Sequence, residues 1–141
     1  MTDLATIKQG QQATWASGDY GRIAWFTSPL GDALCEAVQL RQGARVLDVA
    51  TGTGHVALSA ARRLCTASGV DYVPALIDTA RARAAAEGLD VDLRVGDAEE
   101  LPYAAEVFDV VLSAIGVNSS SVTTPKLPPP AAAPVQRFGR N

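Results

Sequence analysis

Residues that bind metals or form disulfides are scarce in this sequence. It has one histidine and two cysteines in 141 residues. Cys35 and Cys65 fit no zinc-ligand spacing and no disulfide framework. Both lie in apolar stretches with helical spacing, so they read as reduced core cysteines. No apolar run reaches the roughly 18 residues of a membrane span. The N-terminal MTDLATIKQGQQ lacks the apolar centre of a signal peptide. The expectation is therefore a cytoplasmic chain with no membrane partner and no metal. Basic charge is also scarce. The formal net charge is −3, and residues 118–141 hold three of the 12 basic side chains and none of the 15 acidic ones. An acidic body suits a phosphate backbone poorly, so no nucleic-acid partner is expected. A chain this short has room for one sizeable core.

What is present is an alternation of strands and helices. Leu4, Ile7 and Trp15 suggest one or two short helices, broken by Gly10 and Gly18. Leu30, Ala33, Leu34, Ala37 and Val38 form one apolar helical stripe. Arg45–Ala50 reads as a buried strand, 51–54 as a tight loop, and His55–Cys65 as a helix with Val56, Ala57, Ala60, Ala61 and Leu64 inward. A second strand is expected over Gly69–Val73. A helix follows, from Pro74 to the stop at Gly88, with Leu76, Ile77, Ala80 and Ala84 on one face. Val91–Val95 is a third strand, and Val107–Val117 holds a fourth. Continuous apolar strands between helices predict an α/β fold: a parallel sheet covered on both faces, with ligands at the carboxyl ends of its strands.

Several residues at those ends can carry chemistry. Gly52-x-Gly54 allows close backbone approach at a helix start, where free N–H groups favour negative charge. The run Gly52-Thr53-Gly54-His55-Val56-Ala57 also fits a dinucleotide pattern, which keeps an NAD(P)-dependent oxidoreductase as an alternative. Asp48, inside the first strand, argues against it, because a carboxylate beside the loop repels a pyrophosphate and welcomes a cation. It can also simply bond the N–H groups of its own loop. Asp71, 19 residues after Gly52, suits the two hydroxyls of a ribose. In GDAEELPY, Asp97 can accept from an adenine amino group, the Ala98 N–H can donate to the ring, and Leu101 can pack on its face. His55 is a candidate general base or simply a helix-start residue.

VLDVATGTGHVAL, GVDYVPALIDTARARAAAEGL, and GDAEELPY followed by FDVV resemble the successive motifs of class I S-adenosylmethionine-dependent methyltransferases. The likeness is greatest to the ubiquinone/menaquinone-biosynthesis branch and covers about Gln11 to Val117. It implies a Rossmann-like methyltransferase fold whose first four strands lie in the order 3-2-1-4 with flanking helices. The cofactor would be S-adenosyl-L-methionine and the acceptor a small molecule. By resemblance, Asp48, Ala50, Gly52, Thr53 and Gly54 hold the methionine part, Asp71 binds the ribose, and Tyr72 packs beside the adenine. Asp97 and Ala98 read the adenine edge, and Ser113 lies beside the methionine moiety. Tyr20 matches an aromatic that closes over the cofactor. The catalytic residues and the acceptor are not specified.

The last stretch departs from that family. Residues 118–141 hold five of the eight prolines, with no strand or helix pattern. The expected organisation is an N-terminal helical cap over 1–44, a cofactor-binding half-domain over 45–117, and a disordered Pro-rich tail over 118–141. The chain thus reads as a methyltransferase truncated at its C-terminus, with impaired transfer and an exposed fourth strand prone to self-association. A catalytically inactive cofactor-binding or partner-pairing fragment is the other expectation.

Overall fold

In the computed structural model, the residues described are 6, 9–10, 12–13, 16, 20–104 and 107–114, with the backbone alone for 20–28. Seven elements follow in order: α1 (Tyr20–Ala37), β1 (Arg45–Val49), α2 (His55–Arg62), β2 (Thr66–Asp71), α3 (Pro74–Glu87), β3 (Val91–Val95) and β4 (Val110–Leu112). The strands form one parallel sheet in the order β3-β2-β1-β4, as the family resemblance implies. Asp48 of β1 is flanked by Gly69 of β2 and Leu112 of β4.

One core lies between the sheet and α2, where Val46, Ala67 and Leu112 meet Val56, Ala60, Ala61 and Cys35 of α1. A second joins Leu58 to Ile77, Ala80 and Ala84 of α3 and Leu93 of β3. Two successive crossovers in the same direction place α2 and α3 on one face. The opposite face meets a non-helical segment, with Tyr103 edge-on to Phe108 at 5.0 Å and the Arg94 guanidinium 4.7 Å from the Tyr103 ring centre. The sheet is thus covered on both faces as expected, by helices on one and by this non-helical segment on the other among the described residues.

The β3 edge of the sheet is occupied. The Gly96 N–H turns inward to the Asp71 carbonyl. Backbone groups alternate in direction along the strand, so those of Leu93 turn outward. Arg81 reaches across from α3 and donates to the Leu93 carbonyl at 2.8 Å.

Four expectations change in detail. Gly10 is itself helical, while Leu4, Ile7, Trp15 and Gly18 lie outside the described residues. The α1 stripe is rotated: Leu30 and Val38 are 43% and 42% exposed, and Cys35 is buried. The cause is Gly31, where a side chain would lie 2.7 Å from the His55 carbonyl oxygen, so the Gly31–Cys35 face is the one that approaches α2. β4 has three residues, fewer than the apolar run offers. β2 starts at Thr66 and ends at Asp71, earlier than the expected Gly69–Val73, since Thr66 and Ala67 pair with Arg45 and Val46. Val73 becomes the extended residue before α3, where Pro74 and left-handed Gly88 bound the helix as expected.

That earlier strand shortens α2, which ends at Arg62 with Arg63 as its cap. Leu64 adopts φ 60° and is 65% exposed, contrary to its expected inward place. A left-handed residue at this position is the place for glycine. Leu64→Gly is expected to raise stability by about 0.5 kcal/mol, since relief of left-handed strain exceeds the added chain entropy. A urea midpoint that rises with unchanged slope would show it.

Candidate cofactor site

The loop after β1 is built by alternating backbone twist. Ala50, Gly52 and Gly54 have φ of 55°, 56° and 87°. Such alternation turns successive N–H groups to one side and makes a concave site for electron-rich atoms. A side chain at Gly52 would meet nothing within 4 Å, so a ligand can reach the backbone there. Thr51 anchors the loop from inside: its N–H donates to the Val70 carbonyl at 2.9 Å and its hydroxyl to Asp48 Oδ2 at 2.6 Å.

Asp48 is 1% exposed. The Ala57 N–H, in the first turn of α2, also points to its carboxyl group. Its Oδ1 has no hydrogen-bond partner among the described residues. Burial pushes its pKa up to about 7, against the opposing pull of Thr51 and Ala57. The folded protein therefore holds this proton up to about pH 7, while the unfolded chain loses it near 3.8. Stability from this group is full at low pH and is lost as pH rises through the folded value. Asp48→Asn keeps an acceptor for Thr51 and removes the charge. It is expected to leave stability near pH 3 about unchanged and to raise it at pH 8 by on the order of 4 kcal/mol, read from thermal melts at the two pH values.

Asp71 ends β2 and closes the site from the other side. Its Oδ2 accepts from the Gly52 N–H at 2.9 Å and its Oδ1 from the Val73 N–H at 3.0 Å. Burial raises its pKa, and these backbone donors oppose that rise. Tyr72 is half-buried, and its carbonyl accepts from Gln12 Nε2 at 2.7 Å. Burial, then the charges of Asp71 and Asp97, push the Tyr72 hydroxyl up. Asp97 Oδ1 accepts from the Glu99 N–H at 2.9 Å and shapes the loop after β3. Ala98 and Leu101 beside it are half-buried. Ser113 follows Leu112, the β4 neighbour of Asp48, and its buried hydroxyl has no partner among the described residues.

Thus Asp48, Ala50, Gly52, Gly54, Asp71, Tyr72 and Asp97 gather on one rim, with Ser113 one strand away at the same end. Thr53 is turned under the loop, buried against Arg83, whose Nη1 donates to its carbonyl at 2.8 Å. Burial and the charges of Arg83 and Arg62 lower the His55 pKa to about 4, which makes the ring a poor base near neutrality. The side chain of Tyr20 lies outside the described residues. Sequence reasoning missed Thr51, Gln12 and Arg83. Only Thr51 carries a signal, as a hydroxyl three residues after a buried acid.

Among the described residues no group of three metal-binding side chains gathers, and no helix is long and apolar enough to cross a membrane. The orphaned Asp48 and Ser113 oxygens and the open Gly52 cradle suit a ligand with cationic and hydroxyl groups, and no phosphate is needed to satisfy them.

Residues 46–128 match the methyltransferase domain family. The uncharacterized protein Rv1405c of Mycobacterium tuberculosis is 42% identical over 113 residues, 79% of this chain and 41% of that protein. A demethylmenaquinone methyltransferase of Deinococcus radiodurans is 37% identical over 97 residues, 67% of this chain and 38% of that one. The crystal structure of TrmN from Thermus thermophilus matches with a TM-score of 0.57 and 34% identity, over 61% of this chain and 27% of that one. The chain belongs to the class I S-adenosylmethionine-dependent methyltransferase family. It spans about two fifths of the length of the curated relatives it matches.

Proposed function

We propose that the rim formed by β1, β2, β3 and β4 binds S-adenosyl-L-methionine, and that the chain is the cofactor-binding part of a methyltransferase for a small-molecule acceptor. The observation that carries this reading is the hydrogen bond from the Gly52 N–H to Asp71 Oδ2. It joins the loop suited to the methionine part to the acid suited to the ribose. Asp71 has lone pairs left for the two ribose hydroxyls. Tyr72 flanks the adenine, and Asp97 with the Ala98 N–H reads its edge. Backbone groups from Ala50 to Gly54 hold the amino-acid end beside Ser113, and Asp48 shapes them from beneath.

Bound S-adenosylmethionine supplies a sulfonium whose methyl group is already electrophilic. The chain's own task is then to bind, orient and keep water out. No general base is assigned, and the low basicity of His55 argues against that role. The free state of Cys35 and Cys65 supports a cytoplasmic location.

A calorimetric titration with S-adenosylhomocysteine, with NAD as control, tests the reading. Heat of binding from the first alone is expected. Binding of NAD alone would replace this reading with an oxidoreductase.

A second reading is a partner-pairing role, through β4. Among the described residues the outer side of this strand has no neighbour. The Asp109 N–H turns inward to the Arg45 carbonyl, so the backbone groups of Val110 turn outward. A concentration-dependent dimer in sedimentation analysis, abolished by Val110→Pro, is the expected sign, and a monomer at all concentrations would exclude pairing between copies.

A further inference from the structure

We propose that Arg83 is the positioning residue of the glycine-rich loop, clamping the Thr53 peptide and packing on the His55 ring so that the loop keeps its cofactor-binding shape. The inference rests on the cofactor reading above, in which Arg83 itself has no contact with the ligand.

The geometry is unusual for an arginine on a helix surface. Arg83 is only half exposed and projects from α3 toward the underside of the loop. Nη1 donates to the Thr53 carbonyl at 2.8 Å and lies 3.2 Å from its hydroxyl. The same Nη1 is 3.3 Å from His55 Nε2, and Nη2 is 3.3 Å from His55 Nδ1. In-plane lone pairs of the two ring nitrogens diverge, so one guanidinium does not bond both head-on. Two matched separations arise when the planes stack, an arrangement open to Arg and closed to Lys. The Thr53 hydroxyl, 3.2 Å from Nε2, completes the triangle.

Charge explains why the stack persists. Other charged side chains on the packed elements are Arg62 on α2, Asp78, Arg81 and Glu87 on α3, and Asp32 and Glu36 on α1. Glu87 is bidentate to Arg62, and Asp32 is paired with Arg63. None of these carboxylates acts on His55 to draw a proton onto it. Burial and the two arginines keep the ring neutral, and a neutral ring tolerates a cation on its face. Thr53 is thereby held from one side by Arg83, while its neighbours Gly52 and Gly54 keep left-handed twists. A loosened Thr53 peptide would let both relax.

His55 is the sole histidine, so its ring resonance reads the clamp without any ligand. In Arg83→Met, the proton NMR midpoint of this ring is expected to rise from about 4 to above ~5. Affinity for S-adenosylhomocysteine is expected to fall about tenfold, the loss that follows one charge-assisted hydrogen bond. Arg83→Lys keeps the cation, so the midpoint should stay near the wild-type value while affinity still falls several-fold. That split separates clamping from mere charge, and it carries the test if Arg83→Met does not fold. An unchanged His55 midpoint in Arg83→Met, or affinity within about twofold of wild type in either variant, overturns the proposal. Wild-type protein that binds no S-adenosylhomocysteine overturns the cofactor reading and the affinity claim with it; the His55 midpoint then still decides whether the clamp exists.

Discussion

Asp71→Ala is expected to cost about 3 kcal/mol of stability and at least ~100-fold in affinity for S-adenosylhomocysteine. The two losses have separate origins. In the free protein the carboxylate satisfies the Gly52 and Val73 N–H groups, at 2.9 and 3.0 Å. Each donor left buried without an acceptor costs about 1–3 kcal/mol, and relief of the buried charge offsets part of this. In the proposed complex, two charge-assisted hydrogen bonds to the ribose hydroxyls would disappear as well, which accounts for the affinity. Asp71→Asn separates the effects. Its amide oxygen still accepts from one N–H, so stability should fall by only about half as much, while affinity falls nearly as far as in the alanine variant. Urea denaturation and calorimetry on the two variants provide the check. Equal affinity in wild type and Asp71→Asn would remove this residue from the ribose site.

Gly54→Val is expected to abolish folding, through a loss of about 4 kcal/mol or more. Gly54 has φ 87°, where a β-branched residue is strained. A Cβ there would also lie 2.8 Å from Leu58 Cδ1 and 3.1 Å from Ala80 Cβ. Leu58 and Ala80 are both wholly buried, so neither can swing away. Gly54→Ala carries the same contacts with less strain and should lose about 2–3 kcal/mol. Gly52→Ala is the control, with similar φ but open space around it, and should lose only about 1 kcal/mol. The order Gly52→Ala, Gly54→Ala, Gly54→Val in circular-dichroism melts is the expected result. If the two alanine variants melted together, close packing beneath the loop would not be what requires Gly54.

The features legible in the sequence are those written in local chemistry. RVLDV announces β1 because buried parallel strands are apolar throughout, and Pro74 and Gly88 bracket α3 through their backbone preferences. The order β3-β2-β1-β4 came from motif resemblance, since nothing local in a strand names its neighbours. β2 was displaced because Thr66-Ala67-Ser68 has no β-like apolar signal, and its burial is imposed by the helix above it. Within the site, the Gly52–Asp71 separation of 19 residues was readable as a motif. The Arg83–Thr53 contact, 30 residues apart, was not, because an arginine among alanines on a helix looks like any solvated residue. Asp48 was readable as a buried acid, but its lone Oδ1 was not, since that depends on what the fold fails to bring near it.

The Arg81 side chain on the Leu93 carbonyl has a consequence for how the sheet can grow. A sheet whose first edge is corked and whose last has no neighbour among the described residues is a one-way template. An added strand that approaches β3 must first displace a guanidinium, whereas one that approaches β4 meets backbone alone among the described residues. Two copies joined at their β4 edges make a closed pair with a cork at each outer end. If copies pair through β4 as proposed, Arg81 limits the assembly to a pair, and Arg81→Ala is expected to permit longer assemblies in sedimentation analysis.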